Sequence, residues 1–155
     1  MTHYTFTLTE QHLPKLAHLL AKNLDKGNII ALWGDLGTGK TTFARTLIQA
    51  LTNENVDVPS PTFTLVQIYD STKGEIWHCD LYRLKAAEEF IEIGLEEAFH
   101  SSICLIEWPE RLGDFLPHHR IDMVFKIINE TTREITVTLV GPHDTQRAAL
   151  QTTLL

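Results

Sequence analysis

Gly34-Asp35-Leu36-Gly37-Thr38-Gly39-Lys40-Thr41 is the stretch on which the reading of this chain turns. Its spacing matches the G-x-x-x-x-G-K-[ST] loop that wraps phosphate groups. A polyphosphate carries several negative charges, so a loop holds it only by turning many backbone N–H groups inward together. Gly34, Gly37 and Gly39 supply backbone torsions and a close approach that a Cβ would obstruct. Lys40 is expected to reach the β- and γ-phosphates, and the Thr41 hydroxyl to ligate Mg²⁺. The flanks decide against a plain glycine-rich surface turn. Asn28-Ile-Ile-Ala-Leu-Trp33 is a nearly continuous apolar run, as in a strand covered on both faces. Phe43, Leu47, Ile48 and Leu51 then recur at helical spacing.

Working outward, Tyr4 to Leu8 alternates weakly like a strand, and Leu13, Leu16, Leu20 and Leu24 mark a first amphipathic helix. With Thr9 as its cap, Pro14 falls slightly late, which predicts an irregular start. Downstream, 63–69 and 75–79 read as a hairpin across 70–74, and 121–128 with 135–140 as a second hairpin across 129–133. Between them Ala87, Phe90, Ile91, Leu95 and Phe99 predict one more amphipathic helix, with Glu88, Glu89, Glu92, Glu96 and Glu97 on its solvated face. Ser102 to Glu107 is another short apolar run. Strands alternating with helices, plus two hairpins, predict an α/β protein: a three-layer P-loop NTPase fold with a mixed central sheet flanked by helices.

The chain has 155 residues and 43% hydrophobic content, enough for one core and short for two domains. A single domain over 1–155 is expected, its last dozen residues forming a tail or short helix. The net charge of −7, from 13 basic and 20 acidic residues, argues against a free-standing nucleic-acid binder. Cys79 and Cys104 lack CxxC spacing and sit in apolar runs, so they read as buried free thiols in a reducing compartment. The start, MTHYTFTLTEQ, has no basic and then apolar leader pattern, and no long apolar run suggests a membrane span. A cytoplasmic location without membrane contact is the expectation.

A magnesium site in such a fold needs a second acid at the carboxyl end of a neighbouring strand. Glu107, directly after Ile103-Cys104-Leu105-Ile106, has that position; a surface glutamate is the alternative. Asp80 ends the run His78-Cys79-Asp80. It orients the attacking water or an outer-sphere water of the metal, or else it caps the next helix or pairs with Arg83. A zinc site from His78, Cys79 and Asp80 is discounted because successive strand residues point to opposite faces. Thr62, in Ser60-Pro61-Thr62, reads as a switch element touching Mg²⁺ or phosphate, or as a plain turn. Trp108 reads first as core packing, with sensing of the nucleotide state as the alternative. His118 and His119 read as a surface loop.

Taken together, GDLGTGKTT (34–42), SPTFTLV (60–66), HCDLYRL (78–84) and CLIEWPE (104–110) resemble the TsaE family in order, spacing and total length. The resemblance covers nearly the whole chain. It implies an ATPase that works with TsaB and TsaD to make threonylcarbamoyladenosine beside the anticodon, meeting tRNA only through that complex. It implies that Thr41 and Glu107 hold Mg²⁺ and that Gly37, Thr38, Gly39, Lys40, Thr41 and Thr42 hold the phosphates of ATP. Lys40, Asp80 and Glu107 become the catalytic set. Adenine contacts are implied from Glu10 and Arg133, where composition and spacing single out nothing. The chain departs from the commonest family pattern at Thr38, Phe63 and Cys79, none of which removes an expected ligand.

Two rival readings remain at this stage. A small-molecule kinase shares the loop, yet such enzymes bring several arginines onto the transferred phosphate, and no arginine-rich segment is present. A nucleotide-switched binding module with negligible hydrolysis is the other. A GTPase lacks support because no N-K-x-D segment appears, and a transporter motor because no LSGGQ-like stretch does.

Overall fold

The computed structural model describes residues 2–52, 56–61 and 64–151. Seven strands form one sheet in the order β1-β7-β6-β2-β5-β4-β3: β1 (Thr2–Thr9), β2 (Ile29–Trp33), β3 (Val66–Ser71), β4 (Gly74–Asp80), β5 (Ile103–Glu107), β6 (Arg120–Ile127) and β7 (Thr132–Val140). The helices are α1 (Leu13–Lys22), α2 (Lys40–Thr52), α3 (Glu89–Glu92), α4 (Leu95–Ser101) and α5 (Asp144–Gln151), with a 3₁₀ segment at Pro109–Phe115. The centre, β6-β2-β5-β4, is parallel, while β3, β7 and β1 pair antiparallel at the edges. Both expected hairpins are present, as β3–β4 and β6–β7, and the sheet is mixed.

Alternation along β2 and β5 sorts the core into two layers. Ile30, Leu32, Ile103 and Leu105 face α1 and α2 through Leu16, Leu20, Phe43, Leu47 and Ile48. Ile29, Cys104 and Ile106 face the opposite layer, made by Phe90, Leu95, Phe99, Leu112 and Leu116. Strands sandwiched this way lose polar alternation, which is why β2 is apolar throughout and β5 is apolar up to its last residue, Glu107. Each fully buried Leu or Ile in these layers contributes about 1.5–3 kcal/mol.

Three expectations change. The helix expected over 87–99 is two helices, because Gly94 takes a left-handed conformation at φ 81° and turns the chain between them. Ile91, expected on the apolar face, is consequently exposed. Helix α1 starts at Leu13 with His12 as its N-cap, so Pro14 lies in the first turn, where a missing N–H is harmless. Thr9 does not cap that helix; its hydroxyl is 3.0 Å from His12 Nδ1, and its carbonyl accepts from the His12 N–H. The end of the chain carries a short helix, α5, against α1. Among the described residues no helix is long and apolar enough to cross a membrane.

Candidate functional site

The glycine loop joins the end of β2 to the first turn of α2, so the positive end of a 13-residue helix faces the loop's hollow. Gly34, Gly37 and Gly39 all have positive φ, at 145°, 80° and 100°. At Gly34 a Cβ would meet Phe125 O at 2.8 Å and Thr38 Oγ1 at 2.9 Å, so glycine is required for packing. At Gly37 and Gly39 a Cβ would meet nothing within 4 Å. Those two glycines face open space, the situation of backbone that must let a ligand approach. Thr38 is buried, and its hydroxyl donates to Asp35 O at 2.8 Å, bracing the loop.

Strand order brings the acids to the loop. Because β5 lies beside β2, Glu107 ends its strand next to the first turn of α2, and Thr41 Oγ1 donates to Glu107 Oε1 at 2.7 Å. Glu107 is 2% exposed, which removes the surface-glutamate alternative. Asp80 pairs with Glu107 in register on the adjacent parallel strand. Asp80 is buried, and its Oδ1 accepts from the Tyr82 N–H at 3.0 Å.

Lys40 Nζ donates to Gly34 O at 2.5 Å and lies 3.6 Å from the centroid of the Trp108 ring. Trp108 is held left-handed, at φ 59°, in the turn directly after Glu107, a strained conformation that aims the indole back at the loop. The Tyr82 ring packs against it at a tilt of 54°, with centroids 5.0 Å apart. Trp108 therefore belongs both to the site and to the edge of the second core layer. Burial lowers the Lys40 pKa, and the charges of Glu107, Glu110, Asp80 and Asp35 oppose that shift.

A cleft of about 350 Å³ is lined by Glu10, Gly37, Gly39, Lys40, Thr41, Thr42, Ser60, Asp80, Glu107, Trp108 and Arg133. Its volume is that of an ordinary ligand pocket. Glu10 and Arg133 reach it together because β1 and β7 pair antiparallel, with Leu8 opposite Arg133. Arg133 Nε also donates to Thr38 O at 3.2 Å, tying the second hairpin to the glycine loop. A larger hollow of about 780 Å³ beside Lys22, Lys26 and Lys73 contains none of these residues. Thr62 lies outside the described residues.

Residue-type reasoning missed two contacts. His78 Nε2 donates to Glu107 Oε2 at 2.7 Å, with both side chains buried. The strand period places His78 and Asp80 on one face and Cys79 on the other; that arithmetic, used above to discount zinc, also points His78 at the acid. The Lys40–Trp108 contact had no sequence signal beyond adjacency to Glu107.

Among the described residues no group of three or more His, Cys, Asp and Glu side chains is placed to hold a metal alone. The donors at the cleft are instead one hydroxyl and one carboxylate, hard oxygens that suit Mg²⁺ when water and phosphate complete its shell. The residues present fit that ion.

These features define the protein as a three-layer α/β domain of the P-loop NTPase class, with a mixed sheet and its glycine loop at the central strand. The family model for threonylcarbamoyl adenosine biosynthesis protein TsaE matches residues 7–135, and the chain belongs to that family. The tRNA threonylcarbamoyladenosine biosynthesis protein TsaE of Rickettsia bellii is 41% identical over 134 residues, covering 86% of this chain and 93% of the relative. That of Bacillus subtilis is 36% identical over 136 residues, covering 87% and 84%. The crystal structure of Bacillus subtilis YdiB superposes with a TM-score of 0.79 at 30% identity, covering 97% of this chain and 95% of that one.

Proposed function

We propose that this chain is a Mg²⁺-dependent ATPase acting with TsaB and TsaD in threonylcarbamoyl modification of tRNA adenosine, in the cytoplasm. The observation that carries the reading is the 2.7 Å contact between Thr41 and Glu107 at the mouth of the glycine loop. It joins the loop's hydroxyl and a buried acid from the neighbouring strand at the point where a phosphate-bound cation would sit.

In this reading the N–H groups of 37–42 bind the phosphates, and Lys40 leaves Gly34 O and the Trp108 ring to meet them. A bound Mg²⁺ supplies neutralisation of phosphate charge and a fixed template for the transferred group. Thr41 and Glu107 would hold that ion. Asp80, with one oxygen fixed by the Tyr82 N–H, orients the attacking water. Glu10 and Arg133 contact the adenosine end of the nucleotide, on the hairpin side of the cleft. The net charge of −7 supports contact with tRNA through the partners rather than directly. Binding and hydrolysis would shift 60–66 and 78–83 and so reset the docking on those partners.

The test is multiple-turnover synthesis by TsaB and TsaD with and without this chain, alongside phosphate release. Unchanged synthesis would sink the proposal. A phosphorylated small-molecule product would favour a kinase, and partner binding that switches with ATP but releases no phosphate would favour a binding module.

A further inference from the structure

His78 is fully buried, and its ring Nε2 donates to Glu107 Oε2 at 2.7 Å. Its other ring nitrogen, Nδ1, is buried with no hydrogen-bond partner among the described residues. An unsatisfied buried nitrogen is unfavourable, and the pattern of β4 shows a cheaper solution nearby: Ile76, two positions earlier on the same face, fills that layer with hydrocarbon. A histidine kept here for packing alone would therefore be a poor choice. The acid it touches has its other oxygen, Oε1, occupied by Thr41. Between them the two donors leave the carboxylate one orientation.

We propose that His78 is a positioning residue for Glu107: its Nε2–H holds Oε2, so that Oε1 stays directed at the Thr41 hydroxyl and at the cation the pair would share. This rests on the reading of Glu107 as a magnesium ligand. Carboxylates that bind metals are themselves oriented by hydrogen-bond donors behind them, and loss of such a donor weakens the metal site while the fold persists. The geometry also explains why His78 and Asp80 bracket Cys79. The period of the strand sends the first and third side chains to the site and the middle one to the opposite core layer.

The experiment compares His78→Gln with His78→Asn. A glutamine amide reaches about as far as Nε2; an asparagine amide stops one methylene short. The readout is the affinity for the non-hydrolysable ATP analogue AMPPNP with saturating Mn²⁺, divided by its affinity in EDTA. Mn²⁺ accepts the same oxygen donors as Mg²⁺. A purely structural lesion lowers both affinities and leaves the ratio unchanged. His78→Asn should lower the ratio by about tenfold or more, whereas His78→Gln should stay within about threefold of wild type. Equal ratios for the two variants overturn the proposal. His78→Leu should behave as His78→Asn, and if it does not fold, the Gln and Asn pair still decides. Glu107→Gln separates the two levels: if it keeps the wild-type ratio, the metal reading of Glu107 fails, and His78 positioning fails with it. If it loses the ratio while both His78 variants keep theirs, only the positioning fails.

Discussion

The ammonium of Lys40 rests 3.6 Å from the centroid of the Trp108 ring and donates to Gly34 O at 2.5 Å, so the loop's one cation is occupied by its own surroundings. A phosphate must displace both contacts. Burial holds the Lys40 pKa below its ordinary 10.5, against the opposing charges of nearby carboxylates. A phosphate beside it raises the value again. Nucleotide affinity should therefore fall as pH rises through the lowered free-state value, and binding in that window should take up a proton. Titration calorimetry in buffers of different ionisation enthalpy measures this; an enthalpy independent of buffer would contradict it.

Thr41→Val keeps the side-chain volume and deletes the hydroxyl that donates to Glu107. Under the proposed Mg²⁺-dependent ATPase function, hydrolysis should then need about 10–100 times more Mg²⁺ to reach half its maximal rate. The loss of a donor to a buried carboxylate should lower stability by about 1–3 kcal/mol, which a thermal melt reports separately.

Asp80→Asn retains an oxygen able to accept from the Tyr82 N–H, so the local turn should survive with the melting midpoint within a few degrees of wild type. If the carboxylate orients water, phosphate release should nevertheless fall by about 10²–10⁴-fold. Full activity in the asparagine variant, with loss only in Asp80→Ala, would reduce Asp80 to a structural role.

Gly34→Ala places a Cβ 2.8 Å from Phe125 O at a φ of 145°, so it combines a clash with backbone strain. A loss of about 1–3 kcal/mol follows, or roughly 3–10 °C in melting midpoint for a chain of this size. Gly37→Ala meets nothing within 4 Å, so it should disturb stability less than Gly34→Ala does while still weakening nucleotide binding.

Burial pushes the Cys104 thiol up to about 12 from 9.0, and burial raises Cys79 as well. Native protein at pH 8 should therefore react with a thiol reagent only through opening of the fold, and both thiols should react at once in denaturant. The unfolded thiols ionise near 9.0 and the folded ones do not, so stability should fall as pH climbs from about 9 to 12. Fast labelling of the folded chain would be inconsistent with this packing.

Much of the fold was legible in the chain because its signals are local. Period-2 alternation marks the two hairpins, and unbroken apolar runs mark β2 and β5. Gly94 misled the helix reading because the spacing of Phe90, Ile91, Leu95 and Phe99 survives a left-handed break between Ile91 and Leu95. Thr9 misled the capping because a cap depends on where the chain first turns, and that turn is set by β1 ending against β7.

For the site, the division follows sequence distance. The sequence by itself determined the phosphate loop, since Gly34 to Thr41 are contiguous and the backbone torsions they permit are local properties of glycine. It also marked Glu107 and Asp80 as strand-end acids. Only the tertiary structure decided which of these side chains touch. Thr41 and Glu107 meet across 66 residues because β5 pairs with β2, Glu10 and Arg133 come to line one cleft because β1 pairs with β7, and Glu107 gains a buried histidine as its second donor. Residue periodicity states which face a side chain occupies. It carries no record of which strand lies next to which, and that pairing is what assembles the site.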